Sequence, residues 1–421
     1  MGIIHQIGGK LRVQIAGFSG ELSKSLKKVG KRFTEEMIYG ILSSGSVHLT
    51  EISRSLEEDI TMHKTHDRLC RNLGSDELEE EIGDVILKKG SLYIEKETLI
   101  VIDPTEIIKP YAEKMEYLTK VRDGSTKEIR NGYWILQAVA TDIDGKRIIP
   151  LVSRLYSTIS PDFESENRVI QKAVQDIHDA TGYNGTIVFD RGGDRREFLV
   201  PWTSNYLVNY IVRQVGERHL LYGRQLISTL DIAEKCKMHY RETITKIKDG
   251  KIIVTDIDFG FAPVRLPEFP ERLLNLVVVK GFGEKPMMLL TTLDVKDSRK
   301  SVWRIVQSYL SRWKIEETIR FIKQSYKLED IRLLTYRRLK NMITFVLAAS
   351  YFICVHLGLS ERLRILTAHA IKAAKRLFGT PDFNYYCIQD GVKSIFMRTP
   401  KGILSNKQNA PPDSKQLLLF S

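Results

Sequence analysis

The sequence predicts an α/β fold with helical segments at both ends, and three observations lead there. Two short apolar, β-branched runs, 98–102 and 186–189, have the composition of strands buried on both faces of a sheet. Between them lie a strand pair and one amphipathic helix, and outside them, over 1–92 and 331–421, helical patterns replace the alternating ones. The 421 residues suffice for two or three domains, divided here as 1–92, 93–330 and 331–421.

The first strand, Thr98 to Ile102, runs straight into Asp103-Pro104-Thr105. Gly132 to Ile143, a turn at Asp144-Gly145 and Arg147 to Tyr156 read as a hairpin. A helix over Glu164 to Ala180 follows from the spacing of Val169, Ile170, Ala173, Val174 and Ile177, with Gly182 just past its end. The second apolar strand, 186–189, enters Asp190-Arg191-Gly192-Gly193-Asp194, and a short helix or turn to Ser204 precedes a fifth strand at 206–212. From about 215 to 296 the pattern is strand-rich again. Segments 242–247, 251–256, 274–280 and 287–293, parted by Asp249-Gly250 and Gly281-Phe282-Gly283, make a β-rich insertion. Gly281 to Lys285 lacks the Gly-Lys-Ser/Thr ending of a phosphate loop, so it reads as a hairpin turn and no nucleotide cofactor is implied. Met342 to Ser360 has no Asp, Glu, Lys or Arg and passes the length test for a membrane span. It also holds Thr344, Ser350, His356 and Gly358 and stands alone, so a buried helix is expected. The last dozen residues, polar before Leu417 to Phe420, are expected to form a flexible tail that docks on a partner subunit.

The chemistry concentrates in residues 309–323. Taken as one helix, this segment places Tyr309, Arg312, Glu316 and Lys323 inside an arc of roughly 60 degrees. A carboxylate fenced by two cations and a phenol suits a site that holds a metal ion with its acid and a phosphate with its neighbours. Arg312 and Glu316, spaced i, i+4, are equally an ordinary surface ion pair. Asp103 and Asp190 each follow an apolar strand. Either alone is a turn former, but two acids at the carboxyl edge of buried strands stand where open α/β sheets place their sites.

At this point the chain resembles the DDE transposases of bacterial insertion sequences, specifically the insertion-sequence-four type. The residues are Asp103 in an Asp-x-Thr setting, Asp190 in Asp-Arg-Gly-Gly-Asp, and Tyr309-x2-Arg312-x3-Glu316-x6-Lys323, which has that family's signature spacing throughout. The resemblance covers roughly 95–345 and implies an RNase H-like catalytic core, whose order of three strands, helix, strand, helix, strand agrees with the pattern above. It implies that Asp103, Asp190 and Glu316 bind two Mg2+ or Mn2+ ions and carry out cleavage and strand transfer. The adjacent Glu317 lacks the offsets from Tyr309 and Lys323. By the same resemblance Arg312 and Lys323 clamp phosphates, Tyr309 packs against DNA, the β-rich insertion helps hold the cleaved end, and movement is cut-and-paste through a DNA hairpin. The partners so implied are transposon terminal inverted repeats and target DNA, with a homodimer pairing two ends, in a bacterial cytoplasm. Arg191 is a further phosphate-contact candidate; a salt bridge to Asp194 is the other reading. Two other functions stay open, a domesticated regulator that binds DNA without cutting and a nuclease that cuts without joining.

The segment 1–92 adds Lys24, Lys27, Lys28, Lys31 and Arg32 on little more than two helical turns, either a solvated face or a phosphate-contacting edge. Helix-turn-helix spacing follows, with a support helix over 47–56 and a reading helix over 61–73 that bears His63, Lys64, His66, Arg68 and Arg71. The net charge of +12 suits a nucleic-acid partner without requiring one. Four scattered cysteines without Cys-x-x-Cys spacing predict free thiols and no zinc site. No signal peptide is read at the amino terminus, and Gln6 stands where a myristoylation signal needs Ser or Thr.

Overall fold

The computed structural model describes residues 2–124, 126–248, 251–374 and 384–403. Five helices come first: α1 (Ile3–Leu22), α2 (Lys28–Ser44), α3 (Leu49–Leu56), α4 (Met62–Asn72) and α5 (Leu78–Ser91). Their limits follow local chemistry. Gly45 ends α2 in the left-handed conformation, and Thr61 caps α4 by accepting a hydrogen bond from the Lys64 N–H at 3.4 Å. The five basic residues do not share one helical stretch as predicted, because Lys24 and Lys27 lie in the turn before α2. Arg32 is also committed, to Glu36 (2.7 Å) and to Glu58.

A mixed sheet occupies the middle of the chain. Its strands are β1 (Leu99–Ile108), β2 (Thr119–Arg122), β3 (Ile129–Thr141), β4 (Ile148–Tyr156), β5 (Thr186–Phe189) and β6 (Asn209–Arg213), with α6 (Glu166–Thr181) between β4 and β5 and α7 (Arg196–Ser204) between β5 and β6. β4, β3 and β1 are antiparallel neighbours, and β1, β5 and β6 follow as parallel ones. The predicted helix over 164–180 is α6, capped by Ser165 and closed by Gly182 in the left-handed region. One boundary differs where it matters. β1 does not stop at Ile102 but continues through Asp103 to Ile108, because β3 pairs with it along its whole length while β5 leaves it after Val101. Beyond that point β1 is an edge on one side, which is where a strand tolerates Pro104.

The insertion was expected to be β-rich, and it is, but it does not form a sheet of its own. β7 (His219–Tyr222), β8 (Gln225–Ser228), α8 (Thr229–Lys235), β9 (Tyr240–Lys248), β10 (Lys251–Leu266), β11 (Phe269–Lys280) and β12 (Met287–Thr291) extend the first sheet, because β12 pairs antiparallel with β6. The path runs β2-β3-β1-β5-β6-β12-β11-β10-β7-β8, with β4 beside β3 and β9 beside β10. The hairpin of β7 and β8, like β2, carries no sequence signal, because these four-residue strands are of mixed composition, unlike the equally short β5 with its unbroken β-branched and aromatic run. Gly281 makes the β11–β12 turn at φ 111, where a Cβ would lie 2.5 Å from the Asp256 carbonyl oxygen. The Asp249-Gly250 turn and the carboxyl-terminal tail lie outside the described residues.

The remaining helices are α9 (Arg299–Leu310), α10 (Arg312–Ser325), α11 (Tyr336–Tyr351), α12 (Arg364–Ala373) and α13 (Asn384–Phe396). α11 packs against α2, α5 and β4, and α13 against α1 and α2, so helices from the two ends of the chain interleave. Arg12 on α1 closes this assembly. Its guanidinium donates to Gly402 O at 3.0 Å and Thr399 Oγ1 at 3.2 Å, and also to Pro400 O. Tyr336–Leu357 is long and apolar enough to cross a membrane, yet 89% of its most apolar window is buried inside the protein, as expected for 342–360.

α3 and α4 occupy the predicted helix-turn-helix positions, but the reading-helix assignment loses Arg68. It donates to Glu36 and Glu58, both at 2.6 Å, in a network whose Glu36 side chain is 1% exposed. Glu36→Ala is therefore expected to leave Arg68 without its main partner and to lower stability by about 2–3 kcal/mol. A denaturant titration that finds less than about 0.5 kcal/mol would show that the network contributes nothing.

Candidate active site

The sheet brings two acids side by side. β1 and β5 run parallel in the register Leu99–Thr186, Ile100–Ile187, Val101–Val188, and two residues further along each chain stand Asp103 and Asp190. Neighbouring strands are about 5 Å apart, so the pair meets at the sheet edge where β5 ends. Asp190 Oδ1 accepts the Gly192 N–H at 2.8 Å and closes a tight turn. Gly193 completes that turn; a Cβ there would fall 2.8 Å from the Phe189 side chain. Asp194 holds the turn from behind by accepting from the Val215 N–H (2.8 Å) and Arg218 Nε (2.5 Å). The predicted alternative of an Arg191–Asp194 bridge is thus overturned, since Asp194 is taken by β6-side partners. Arg191 is exposed and makes no ion pair among the described residues.

The third acid comes from α10. The segment read as one helix is interrupted at Ser311, whose hydroxyl bonds back to Gln307 O at 3.0 Å and also to Ile143 O. Tyr309 therefore closes α9, while Arg312, Glu316 and Lys323 lie on α10. Lys323 fixes α10 to the sheet: its Nζ donates to Thr105 Oγ1 at 2.8 Å and to Glu106 O at 2.6 Å, two and three residues beyond Asp103. Glu316 pairs with Arg312 at 2.6 Å; Glu317 turns instead to Arg320 at 2.7 Å.

The surroundings of Arg312 correct one expectation. Tyr309 was expected to pack against DNA, but it is 0% exposed and lies under the Arg312 guanidinium, 5.5 Å from ring centroid to Cζ. Its apolar ring is worth more in the core than on the surface. Arg312 is itself nearly buried, and both its Nε and the Tyr309 hydroxyl lack hydrogen-bond partners among the described residues. Because that hydroxyl is unpartnered, Tyr309→Phe is expected to keep or slightly raise the melting temperature. A fall of several degrees in the thermal melt would mean that the hydroxyl has a partner.

Burial, with neighbouring charge behind it, dominates at Asp103. Its carboxylate has no hydrogen bond among the described residues and is pushed up to about 7, first by burial, with Asp190 and Glu316 pushing the same way and Arg312 and Lys323 opposing. A carboxyl raised above its unfolded value stabilises the fold when protonated; that contribution is full below about pH 4 and is gone by about pH 7. Asp103→Asn, which cannot ionise, is therefore expected to exceed the wild type in stability by about 2 kcal/mol at pH 8 in chelator, with a smaller difference at pH 5. Melts at the two pH values check this. Equal differences at both would mean that Asp103 is not repelled.

Asp103 and Glu316 both line an open cleft of about 1600 Å3 that continues along the loop after β1. Lys109, a residue that no sequence pattern marks, stands in its wall. Lys109 is buried, with Nζ donating to Leu328 O (3.3 Å), Ile331 O (2.9 Å) and Glu329 O, and burial lowers it to about 8. A single lysine behind an apolar strand carries no pattern that would announce this clamp.

Three carboxylates are hard oxygen donors of the kind that Mg2+ and Mn2+ prefer, and an unbonded, mutually repelled Asp103 is a donor in want of a cation. In this conformation no three acids, histidines or cysteines among the described residues gather tightly enough to hold an ion. Glu316 is turned to Arg312, so its carboxylate must rotate away from that partner to join the two aspartates. The donor set fits; the closure is incomplete.

Comparison with known proteins points the same way. Residues 153–352, just under half the chain, match a family described as "Transposase DDE domain". The match includes Asp190, Arg191 and the whole Tyr309-to-Lys323 signature and begins after Asp103. No curated protein matches the chain. Among solved structures, the cryo-EM structure of a piggyBac transposase synaptic complex with hairpin DNA matches over 97% of this chain and 81% of that one, with 11% identity and a TM-score of 0.42. That likeness is too slight to carry an argument.

Proposed function

We propose that this protein is a metal-dependent DNA transposase of the insertion-sequence-four type, with Asp103, Asp190 and Glu316 as its metal-binding acids. The observation that carries the reading is the register of β1 and β5, which sets Asp103 beside Asp190, with Glu316 on a helix pinned to β1 by Lys323. The strand order β4-β3-β1-β5-β6, with the first three antiparallel and the last two added in parallel, supports an RNase H-like core. The match of residues 153–352 to a transposase domain supports the same assignment.

Two Mg2+ or Mn2+ ions held by these acids would supply the charge that activates a water or 3′-hydroxyl and stabilises the leaving oxygen. The chain's own residues do the rest. Lys323 positions α10, and Asp194 with Arg218 fixes the turn that carries Asp190. Arg312, resting on the buried Tyr309 ring, holds Glu316 until the acids are bridged and then offers its guanidinium to a phosphate. Exposed Arg191 is a further phosphate contact. Cut-and-paste movement through a hairpin, and a homodimer pairing two terminal repeats, belong to the same proposal.

The test is incubation of the purified protein with supercoiled plasmid carrying candidate terminal repeats, with Mg2+ or Mn2+. Excised ends and joined products are expected. Cleavage without joining would leave a nuclease, and sequence-specific binding without metal-dependent cutting would leave a DNA-binding regulator.

A further inference from the structure

We infer that Tyr111 is a stacking platform for an unpaired nucleotide in the cleft that leads to the reacting phosphate, several nucleotides away from it along the extended β1. This deepens the proposed function and rests on it, since it names the DNA form that the cleft takes. Tyr111 is 96% exposed and lines the same cleft as Asp103 and Glu316. An aromatic ring left almost wholly in water forgoes the burial that aromatic side chains ordinarily gain.

The ring is presented by a braced segment. On one side of it Lys109 N donates to Asn131 O at 2.7 Å, with its side chain clamped as described. On the other, Asn131 Nδ2 donates to Ala112 O at 3.0 Å, Glu116 N to Leu334 O at 2.8 Å and the Tyr133 hydroxyl to Glu116 O at 2.6 Å. Both shoulders of the loop are thus tied to β3 and to the segment after α10. Rigid presentation of an exposed ring is what base stacking uses, because every base has a π-face and little ordering is required on binding.

The rim supplies the cations for the backbone. Lys114, Lys327 and Arg332 are exposed cleft residues with no ion pair among the described residues. Two lysines of this rim, Lys127 and Lys327, hold left-handed backbone at φ 66 and φ 54, a strained state for a lysine that tends to persist at functional sites. A ring flanked by free cations and leading to acids fits single-stranded nucleic acid and has no use for the closed stack of an intact duplex.

The experiment uses the full chain in Ca2+, to allow binding without cutting, and two DNA probes: a blunt duplex, and the same duplex with a short single-stranded extension containing 2-aminopurine. Wild type is expected to prefer the extended duplex and to quench its fluorescence. Tyr111→Ala should lose at least about fivefold in affinity for the extended probe, while its affinity for the blunt one is unchanged; Tyr111→Trp should retain both preference and quenching. A Tyr111→Ala protein that melts like wild type and keeps preference and quenching overturns the inference. The functional reading fails separately. If wild type binds the extension through Tyr111 but never cuts DNA with Mg2+ or Mn2+, the platform stands and the transposase assignment falls.

Discussion

Asp190→Asn is expected to abolish metal-dependent cleavage, by roughly a thousandfold or more, while leaving the fold intact. Bound divalent cations contribute several kcal/mol of transition-state stabilisation, and each 1.4 kcal/mol is about tenfold in rate. The side-chain amide of Asn keeps an oxygen to accept the Gly192 N–H, so the turn after β5 survives. Asp103→Asn and Glu316→Gln should give losses of similar size, and the three combined little more than one, because acids that share ions act as a unit. Single-turnover cleavage of plasmid DNA measures this. Activity within tenfold of wild type in the Asp190 variant would remove it from the catalytic set.

Arg312→Met is the second large effect, and it falls on stability. Arg312 pairs with Glu316 and acts on Asp103 and Asp190 through its charge, with a side chain only 9% exposed, so its removal leaves the acids to repel one another. Glu316 is 47% exposed and its pair alone is worth little. The expected loss, about 2–4 kcal/mol at pH 8, comes mainly from the uncompensated aspartates. The sign with pH is definite. Arg312 holds Asp103 down, so without it the carboxyl rises further above about 7 and more of the acid must stay protonated for the fold to be stable. The melting-temperature gap between variant and wild type should therefore widen from pH 5 to pH 8 in chelator, and Mg2+ should narrow it. A gap that stays constant with pH would mean that Arg312 acts through packing alone.

The parts of the fold and site that were legible in the sequence are those with strong local patterns. The runs 98–102 and 186–189 read as buried strands because each is apolar throughout, and α6 was framed by a spaced apolar face and Gly182; the Ser165 cap came only with the structure. Glu316 stood out because a four-residue spacing on a helix carries geometry with it. Asp103 was found, but as the end of a strand; that β1 continues depends on its pairing with β3, a long-range fact. The same holds for the insertion, whose strands were visible while their fusion to β6 through β12 was not. Tyr309 was misjudged because the helical arc places it beside Arg312, as observed, but carries no sign that the ring is covered by the core. Lys109, Asp194 and the binding of Arg68 by Glu36 and Glu58 are single polar residues whose partners lie far along the chain or across a turn, and no periodicity marks them.

The tie between Arg12 and residues 399–402 sets an order of events during synthesis. The first helix emerges from the ribosome nearly four hundred residues before the segment that completes its surroundings. Until then the apolar faces of α1 and α2 await α11 and α13, and such a long sequence separation slows closure and exposes sticky surface. The sheet, whose strands are nearer neighbours along the chain, has the opportunity to assemble first. A nascent polypeptide stalled before residue 340 should consequently hold a protease-resistant centre with both ends still open to digestion.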